Sequence, residues 1–401
     1  MMPSANNKIA SREEEIKKIS LWVAMASVLQ ISESLIPHPI PGIRFGFANI
    51  VTLIILVNYT FSIALKVAIL RTIISSFMMG TFMSPAFLLS FSAALISTLA
   101  MGALYRISTK YNQFYFSLVG ISVLGAFTHN VAQLILAYFL LIKHAGIFIL
   151  LPWLSIGAVV MGLISGLIAM KTTEKLMCPR KGRLYSPTRR DTEPAFETKV
   201  FFPGDSFLHR LKSQTKILGV ILLAVTVLTV DSLWFHAFII SGIIILAVAG
   251  RISLINLFLT IKRMFLLILS SLLLPIFFED GYETIFRLGP IAVSAEGLSA
   301  GALYSLRIIV LLMISTLLVQ TTSIEDMTMG LKNVLFPFKS FGIDPDKIGK
   351  IIALSWQWIP ELWKEIRSMM KFLVRNKENK LRNLMDALSD LLIFLFQKEH
   401  P

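Results

Sequence analysis

Charge outside loops and cysteine are what these 401 residues have least of. A single cysteine, Cys178, excludes a disulfide framework and a thiolate metal cluster. Charged residues amount to 15%, against 55% hydrophobic. The runs Phe114–Ile142 and Phe148–Met170 contain no Asp, Glu, Lys or Arg. Each exceeds the roughly 20 residues that cross a bilayer as a helix. The runs are continuously apolar, without the alternation of a membrane barrel. No Gly-x-x-x-x-Gly-Lys-Ser/Thr phosphate loop occurs, so any ATP chemistry must come from separate chains. No secretory signal is evident either. Met1–Ser20 carries Arg12, Glu13, Glu14, Glu15, Lys17 and Lys18, and no small-residue cleavage site follows, so the first apolar run reads as a retained span. The expected fold class is an all-α polytopic membrane protein.

A formal net charge of +14 raises the question of nucleic acid. The basic residues instead collect in loops beside apolar runs, which is the cytoplasmic-side bias of membrane proteins. The partner this implies is the lipid bilayer of a cell membrane, with no role for nucleic acid. In residues 1–175 six spans are expected, at about 19–36, 44–58, 61–80, 85–105, 114–142 and 148–170. Lys17/Lys18, Arg106/Lys110 and Lys171/Lys175 then share one side, which puts the N-terminus in the cytoplasm. Lys143 is the exception to that pattern.

Polar groups inside apolar runs are costly unless paired or facing an aqueous cavity. Arg44 and Asn49 open the second run, Arg71 lies within the third, and His129, Asn130 and Gln133 lie within the fifth. The i, i+4 spacing puts His129 and Gln133 on one helical face. The six residues predict a substrate-binding pocket that favours an anionic small molecule. Arg44 can alternatively snorkel to the interface, and the others can form interhelical hydrogen bonds. Ser20-x-x-x-Ala24 and Gly162-x-x-x-Gly166 give the first and sixth runs small faces for close helix contact or for docking another subunit.

Residues 176–199 form a basic, proline-interrupted cytoplasmic linker. Beyond it, apolar runs lie at about 216–231, 233–249, 264–278 and 301–320, with a shorter one at 388–396. The chain then changes character. Ser323-Ile-Glu-Asp326 has the form of a capping box, and its helix should stop near Pro337. Asp344-Pro345 supplies the N-cap and first-turn proline of another helix. From Ile348 to Leu373 apolar residues follow a 3, 4, 3, 4 spacing with charges largely elsewhere, so that helix is amphipathic, with a bend expected at Pro360. Periodicity alone leaves two readings open, a membrane-surface helix and a lever that docks on a cytoplasmic partner.

Two resemblances narrow this. Arg44-Phe-Gly-Phe-Ala-Asn-Ile-Val-Thr52, Gly80-Thr-Phe-Met-Ser-Pro-Ala-Phe87 and Gly125-Ala-Phe-Thr-His-Asn-Val-Ala-Gln133 resemble the Gx transporters, a family long labelled heptaprenyl diphosphate synthase component I. That family looks like the substrate-binding S components of energy-coupling-factor (ECF) importers. The synthase label meets a chemical objection, because residues 1–175 hold no paired aspartates to carry Mg²⁺ on a diphosphate. Phe202-Pro-Gly-Asp-Ser-x-Leu-His-Arg-Leu-x-x-x-Thr-Lys216, with Phe286-Arg-Leu-Gly-Pro-Ile291, Arg307, Thr321–Asp326 and Trp358-Ile-Pro-Glu361, resembles the transmembrane T component of ECF transporters.

The resemblance implies an S-like capture domain at 1–175, the linker at 176–199 and a T-like energy-coupling domain at 200–401, with coupling helices at about 323–378. It also implies ABC-type ATPase subunits as separate partners, no enzymatic activity in this chain and no cofactor. In that family short arginine motifs engage the ATPases. Here Val374-Arg375-Asn376 stands at about the right place, with Arg367 as a rival register, and a second copy is missing. The alternative expectation is a non-transporting membrane scaffold of an isoprenoid-quinone or flavin pathway.

Overall fold

The computed structural model describes residues 5–34, 46–111, 116–177, 201, 203–278, 284–288, 291–375, 386, 388–390, 392–393 and 396. The first half contains α1 (Ala5–Ser34), α2 (Phe47–Asn58), α3 (Phe61–Met79), α4 (Pro85–Lys110), α5 (Leu118–Leu136) and α6 (Leu151–Met177). Thr60, Ser84 and Ser117 begin α3, α4 and α5, each side-chain oxygen accepting the N–H three residues on, which satisfies one orphan donor of each first turn. A π-helical turn, Ala137–Ile142, and a 3₁₀ segment, Ala145–Leu150, join α5 to α6.

Six helices stand where six spans are expected, but among the described residues only those from α3 to α6 are long and apolar enough to cross a membrane in this half. The 12 residues of α2 rise only about 18 Å at 1.5 Å per residue, short of the ~30 Å hydrocarbon layer. Asn58-Tyr59-Thr60 turns the chain early, so the second expected span covers only part of the layer. Five helical segments are long and apolar enough to cross a membrane among the described residues, and a sixth if one bent pair counts as a span.

The helix at the centre is α1. Ile19, Trp22, Val23, Ala24, Ala26, Val28 and Leu29 are each no more than 1% exposed. It packs against α2, α3 and the long C-terminal helix described below. The expected small face on α6 is used against α5. A Cβ at Gly162 would stand 2.6 Å from Val123 Cα, and one at Gly166 would stand 2.7 Å from Val119 Cα. Glycine is required at both positions for the backbones to meet.

The second half opens with a single helical turn, α7 (Phe207–Arg210), followed by α8 (Ser213–Thr229), α9 (Leu233–Ala249), α10 (Leu254–Arg263) and α11 (Phe265–Phe278). The α10 and α11 helices bend by 61° at their junction. An antiparallel hairpin, β1 (Thr284–Leu288) with β2 (Ile291–Ser294), interrupts the helical succession. Then come α12 (Ala295–Gln320), α13 (Ile324–Leu335), a 3₁₀ turn (Phe336–Phe341) and α14 (Pro345–Arg375). The expected helix signals act as read. Ser323 Oγ accepts from Asp326 N–H at 3.1 Å, α13 stops two residues before Pro337, and Asp344 Oδ1 accepts from Lys347 N–H at 3.1 Å. The α14 helix runs unbroken through Pro360.

Large apolar side chains stand exposed along α6, α8 and α9, among them Trp153, Ile156, Leu222, Trp234, Phe238 and Ile245. Such a continuous apolar surface is the lipid-facing boundary of a membrane protein.

Candidate functional site

Arg71 lies within α3 and is 4% exposed. A guanidinium held in an apolar helix needs partners for its rigid fork of donors. One terminal nitrogen donates to Gln30 Oε1 at 3.3 Å and the other to Asn49 Oδ1 at 2.6 Å. One turn beyond Gln30 on α1 lies Glu33, also 4% exposed. Its two carboxylate oxygens accept from the N–H groups of Gly46 at 2.8 Å and Phe47 at 3.2 Å. These are donors at the start of α2, where a negative charge meets the positive end of the helix dipole. Gly46 has φ +73°, a left-handed conformation suited to glycine, and a Cβ there would lie 3.7 Å from Asn49 Nδ2 and 3.8 Å from Ser165 Oγ. Side chains from α1, α2, α3 and α6 thus surround one buried polar cluster with a cation and a carboxylate in it.

The expected pocket residues are therefore distributed as follows. Asn49 and Arg71 are brought together. Asn130, on α5, donates its amide to Leu154 C=O at 2.9 Å and ties α5 to α6. His129 and Gln133 are half-buried on α5, which packs against α4 and α6, whereas α3 packs against α1, α2 and α4. Arg44 lies outside the described residues. Gln30 and Glu33 went unread in the sequence. Their signal is a polar pair at i, i+3 near the end of an otherwise apolar run, whose partners only the fold supplies.

The second functional element is the seam between the halves. On α14 the stripe Ile351, Ile352, Ser355, Ile359, Leu362 and Ile366 is at most 3% exposed. It lies along α1, and Ser355 Oγ donates to Ser20 C=O at 2.9 Å. The small face of α1 therefore docks on the long amphipathic helix of its own chain. At one end of this contact Arg12 pairs with Asp344, and Lys347 with Glu15 at 2.8 Å. The last turns of α6 add Lys171 with Asp386 and Lys175 with Asp390 at 2.6 Å.

Elsewhere along the seam Ser315 Oγ, on α12, donates to Phe82 C=O at 2.7 Å. Lys143 Nζ, at the turn before α6, lies 2.9 Å from both carboxylate oxygens of Asp231, between α8 and α9. Arg307 of α12, fully buried, pairs with the same carboxylate. The Lys143 ammonium, followed by Arg307, holds the Asp231 carboxyl below the ordinary carboxylate range, against the opposing effect of partial burial.

The two stretches that resembled a T component also meet. Lys216 Nζ donates to Thr321 C=O at 2.7 Å and to His209 C=O at 3.3 Å. Of the coupling candidates, Arg367 is exposed on α14. Arg375 is the last residue of α14, and its side chain lies outside the described residues.

Comparison with known proteins matches two separate stretches of the chain to two different families. Residues 22–172 match the family model described as heptaprenyl diphosphate synthase component I, and residues 204–398 match that described as cobalt transport protein. Among curated relatives, the energy-coupling factor transporter transmembrane protein EcfT of Brevibacillus brevis is 32% identical over 171 residues, which is 43% of this chain and 64% of the relative. The protein of the same name in Acidaminococcus fermentans is 29% identical over 206 residues, 49% of this chain and 76% of the relative. That of Heliobacterium modesticaldum is 33% identical over 171 residues, again 43% and 64%. The chain thus spans about two thirds to three quarters of the length of these relatives. The chain thus joins in one polypeptide a first half similar to the heptaprenyl diphosphate synthase component I family and a second half similar to the transmembrane proteins of energy-coupling-factor transporters.

Proposed function

We propose that the chain unites capture and energy coupling of an ECF-type importer in one polypeptide. The first half takes up a small anionic or amphiphilic molecule. The second passes the closure of separate ABC-type ATPase subunits to it. The observation that carries this reading is the seam: the small face of α1 lies on the amphipathic stripe of α14, so that movement of α14 acts directly on the capture half. Fusion keeps the two halves at a high effective concentration and makes exchange of capture subunits unnecessary.

In this reading the substrate pocket is built around Arg71 and Asn49, now with Gln30 and Glu33, and it draws on Arg44, His129, Asn130 and Gln133. Arg367 and Arg375 on α14 face the ATPases, where a guanidinium suits carboxylates at an interface. The chain itself performs no chemistry. The N-terminus lies in the cytoplasm, with the ion pairs of Arg12, Glu15, Lys171 and Lys175 on that side.

The test is reconstitution of the full chain in proteoliposomes with the ABC ATPase chains encoded in its genome. ATP-dependent uptake is expected. Failure to co-purify with, or stimulate, any of them overturns the coupling, and leaves the scaffold reading. Arg71→Ala and His129→Ala should each impair capture while the protein stays folded. Wild-type uptake by both would remove the pocket.

A further inference from the structure

A cavity opens in the T-like half, lined by none of the residues proposed for capture or ATPase docking. Its volume is about 570 Å³. Asp205 and His209 border it from the segment before α8, Arg251 and Ser253 from the turn between α9 and α10, and Gln320 from the last residue of α12. The turn is built to present cations. Arg251 has φ +51°, a conformation that aims its side chain out of the helix path, and it is exposed. Ser253 precedes the first residue of the ten-residue α10, yet its side chain caps no N–H of that helix. Asn256 N–H donates to Ser253 C=O at 3.2 Å, which leaves the N–H groups of Leu254 and Ile255 and the Arg251 guanidinium for an anion beside Ser253.

Gln320 supplies the independent half of the argument. It is 4% exposed and its Oε1 has no hydrogen-bond partner in the protein. A buried acceptor left unsatisfied costs about 1–3 kcal/mol, so a ligand that donates to it is favoured. Asp205, which also lines the cavity, adds an exposed carboxylate from the Phe202–Lys216 stretch. One ligand must then offer an anion for Arg251 and α10 together with an N–H donor for Gln320 and Asp205. Phe207, next in sequence to the lining residue Ser206, Ile255, just beyond the lining residue Ser253, and Phe258, one turn further along α10, are each more than 60% exposed, as apolar side chains that meet acyl chains are.

We propose that this cavity binds the headgroup of an aminoalkyl phospholipid. The phosphodiester sits against Arg251 and the start of α10, and the primary ammonium donates to Gln320 Oε1 and Asp205. The basic residues of the same segments, Arg210 and Lys212 before α8 and Lys262 and Arg263 in the last turn of α10, are those expected on the cytoplasmic side, which assigns the cavity to the cytoplasmic leaflet.

Native mass spectrometry of the full chain, exchanged into micelles doped with one lipid at a time, tests this. Phosphatidylethanolamine should be retained about fivefold or more over phosphatidylcholine, whose quaternary ammonium has no N–H to donate to a buried acceptor. Arg251→Asn removes the charge with a residue that tolerates left-handed backbone, and should lower phosphatidylethanolamine retention several-fold. Gln320→Glu should keep or raise the preference, and Gln320→Leu should abolish it. Should the leucine variant fail to fold, the asparagine variant at the exposed Arg251 still decides the matter. Equal retention of the two lipids by the wild type overturns the proposal, as does phosphatidylethanolamine retention unmoved by Arg251→Asn or a preference unmoved by Gln320→Leu. Displacement of the lipid by inorganic phosphate at equal concentration overturns it too, since the site would then read only an anion.

Discussion

Replacing Asp231 by Ala should destabilise the chain far more than replacing Lys143, although the two form an ion pair with each other. The reason lies in the third member of the group. Lys143 and Asp231 side chains are 32% and 52% exposed, and such a pair is worth about 0.2–1 kcal/mol. Arg307 is 0% exposed, and Asp231 supplies its counter-charge. Stripping the partner from a buried charge costs about 3–5 kcal/mol, and the half-exposed position of Asp231 admits water, which brings the expectation to about 2–3 kcal/mol.

Arg307 Nε also donates to Val227 C=O at 3.3 Å, and His236 Nε2 lies 3.3 Å from that same carbonyl oxygen. The double variant Asp231→Ala/Arg307→Met should recover most of the loss, because an unpaired buried charge is replaced by packing atoms. Denaturant titration of the four proteins in mixed micelles, followed by tryptophan fluorescence, measures this. If Asp231→Ala costs no more than Lys143→Ala, or if the double variant is no more stable than Asp231→Ala, the reasoning about a buried charge fails.

The same group fixes a pH dependence. The folded-state pKa of Asp231 is lowered, so its contribution is fully present above the ordinary value of about 3.9 and is lost as pH falls through the lowered one. The stability gap between wild type and Asp231→Asn should stay constant from pH 7 to 5 and close only below about pH 4, read by the same titration. Gly162→Ala and Gly166→Ala should each cost about 1–3 kcal/mol, since the added methyl meets α5 backbone at 2.6 and 2.7 Å. Gly242→Ala, where nothing lies within 4 Å, should be neutral or stabilising in that assay. Ser20→Phe, at a position 0% exposed beneath Ser355, should wedge α1 from α14 and reduce ATP-driven uptake at least tenfold while ligand capture by the first half persists.

Much of the fold was legible because local rules and the bilayer both act on short windows. The span of Phe61–Met79 follows from its apolar run and from Thr60, and the start of α14 follows from Asp344-Pro345. The small-residue face of Ser20 and Ala24 announced a close helix contact. What it touches was open, because a period of 3.6 says which side of a helix is apolar and nothing about what covers it. The hairpin at 284–294 was missed, since strands of five and four residues lie below what an alternation pattern resolves. The candidate site was half legible: Arg71 and Asn49 stood out as polar groups in apolar runs, while Gln30 and Glu33 looked like the frayed end of a helix.

By itself the sequence determined that this is a helical membrane chain in two halves, because the free energy of placing apolar runs in lipid and basic residues at the cytoplasmic face is additive along the chain. Only the tertiary structure decided that α14 lies on α1 rather than on the membrane surface, that Glu33 holds the start of α2, and that Asp231 stands between cations from both halves. Those are pairings between residues up to hundreds of positions apart, and their energies exist only once the helices have met.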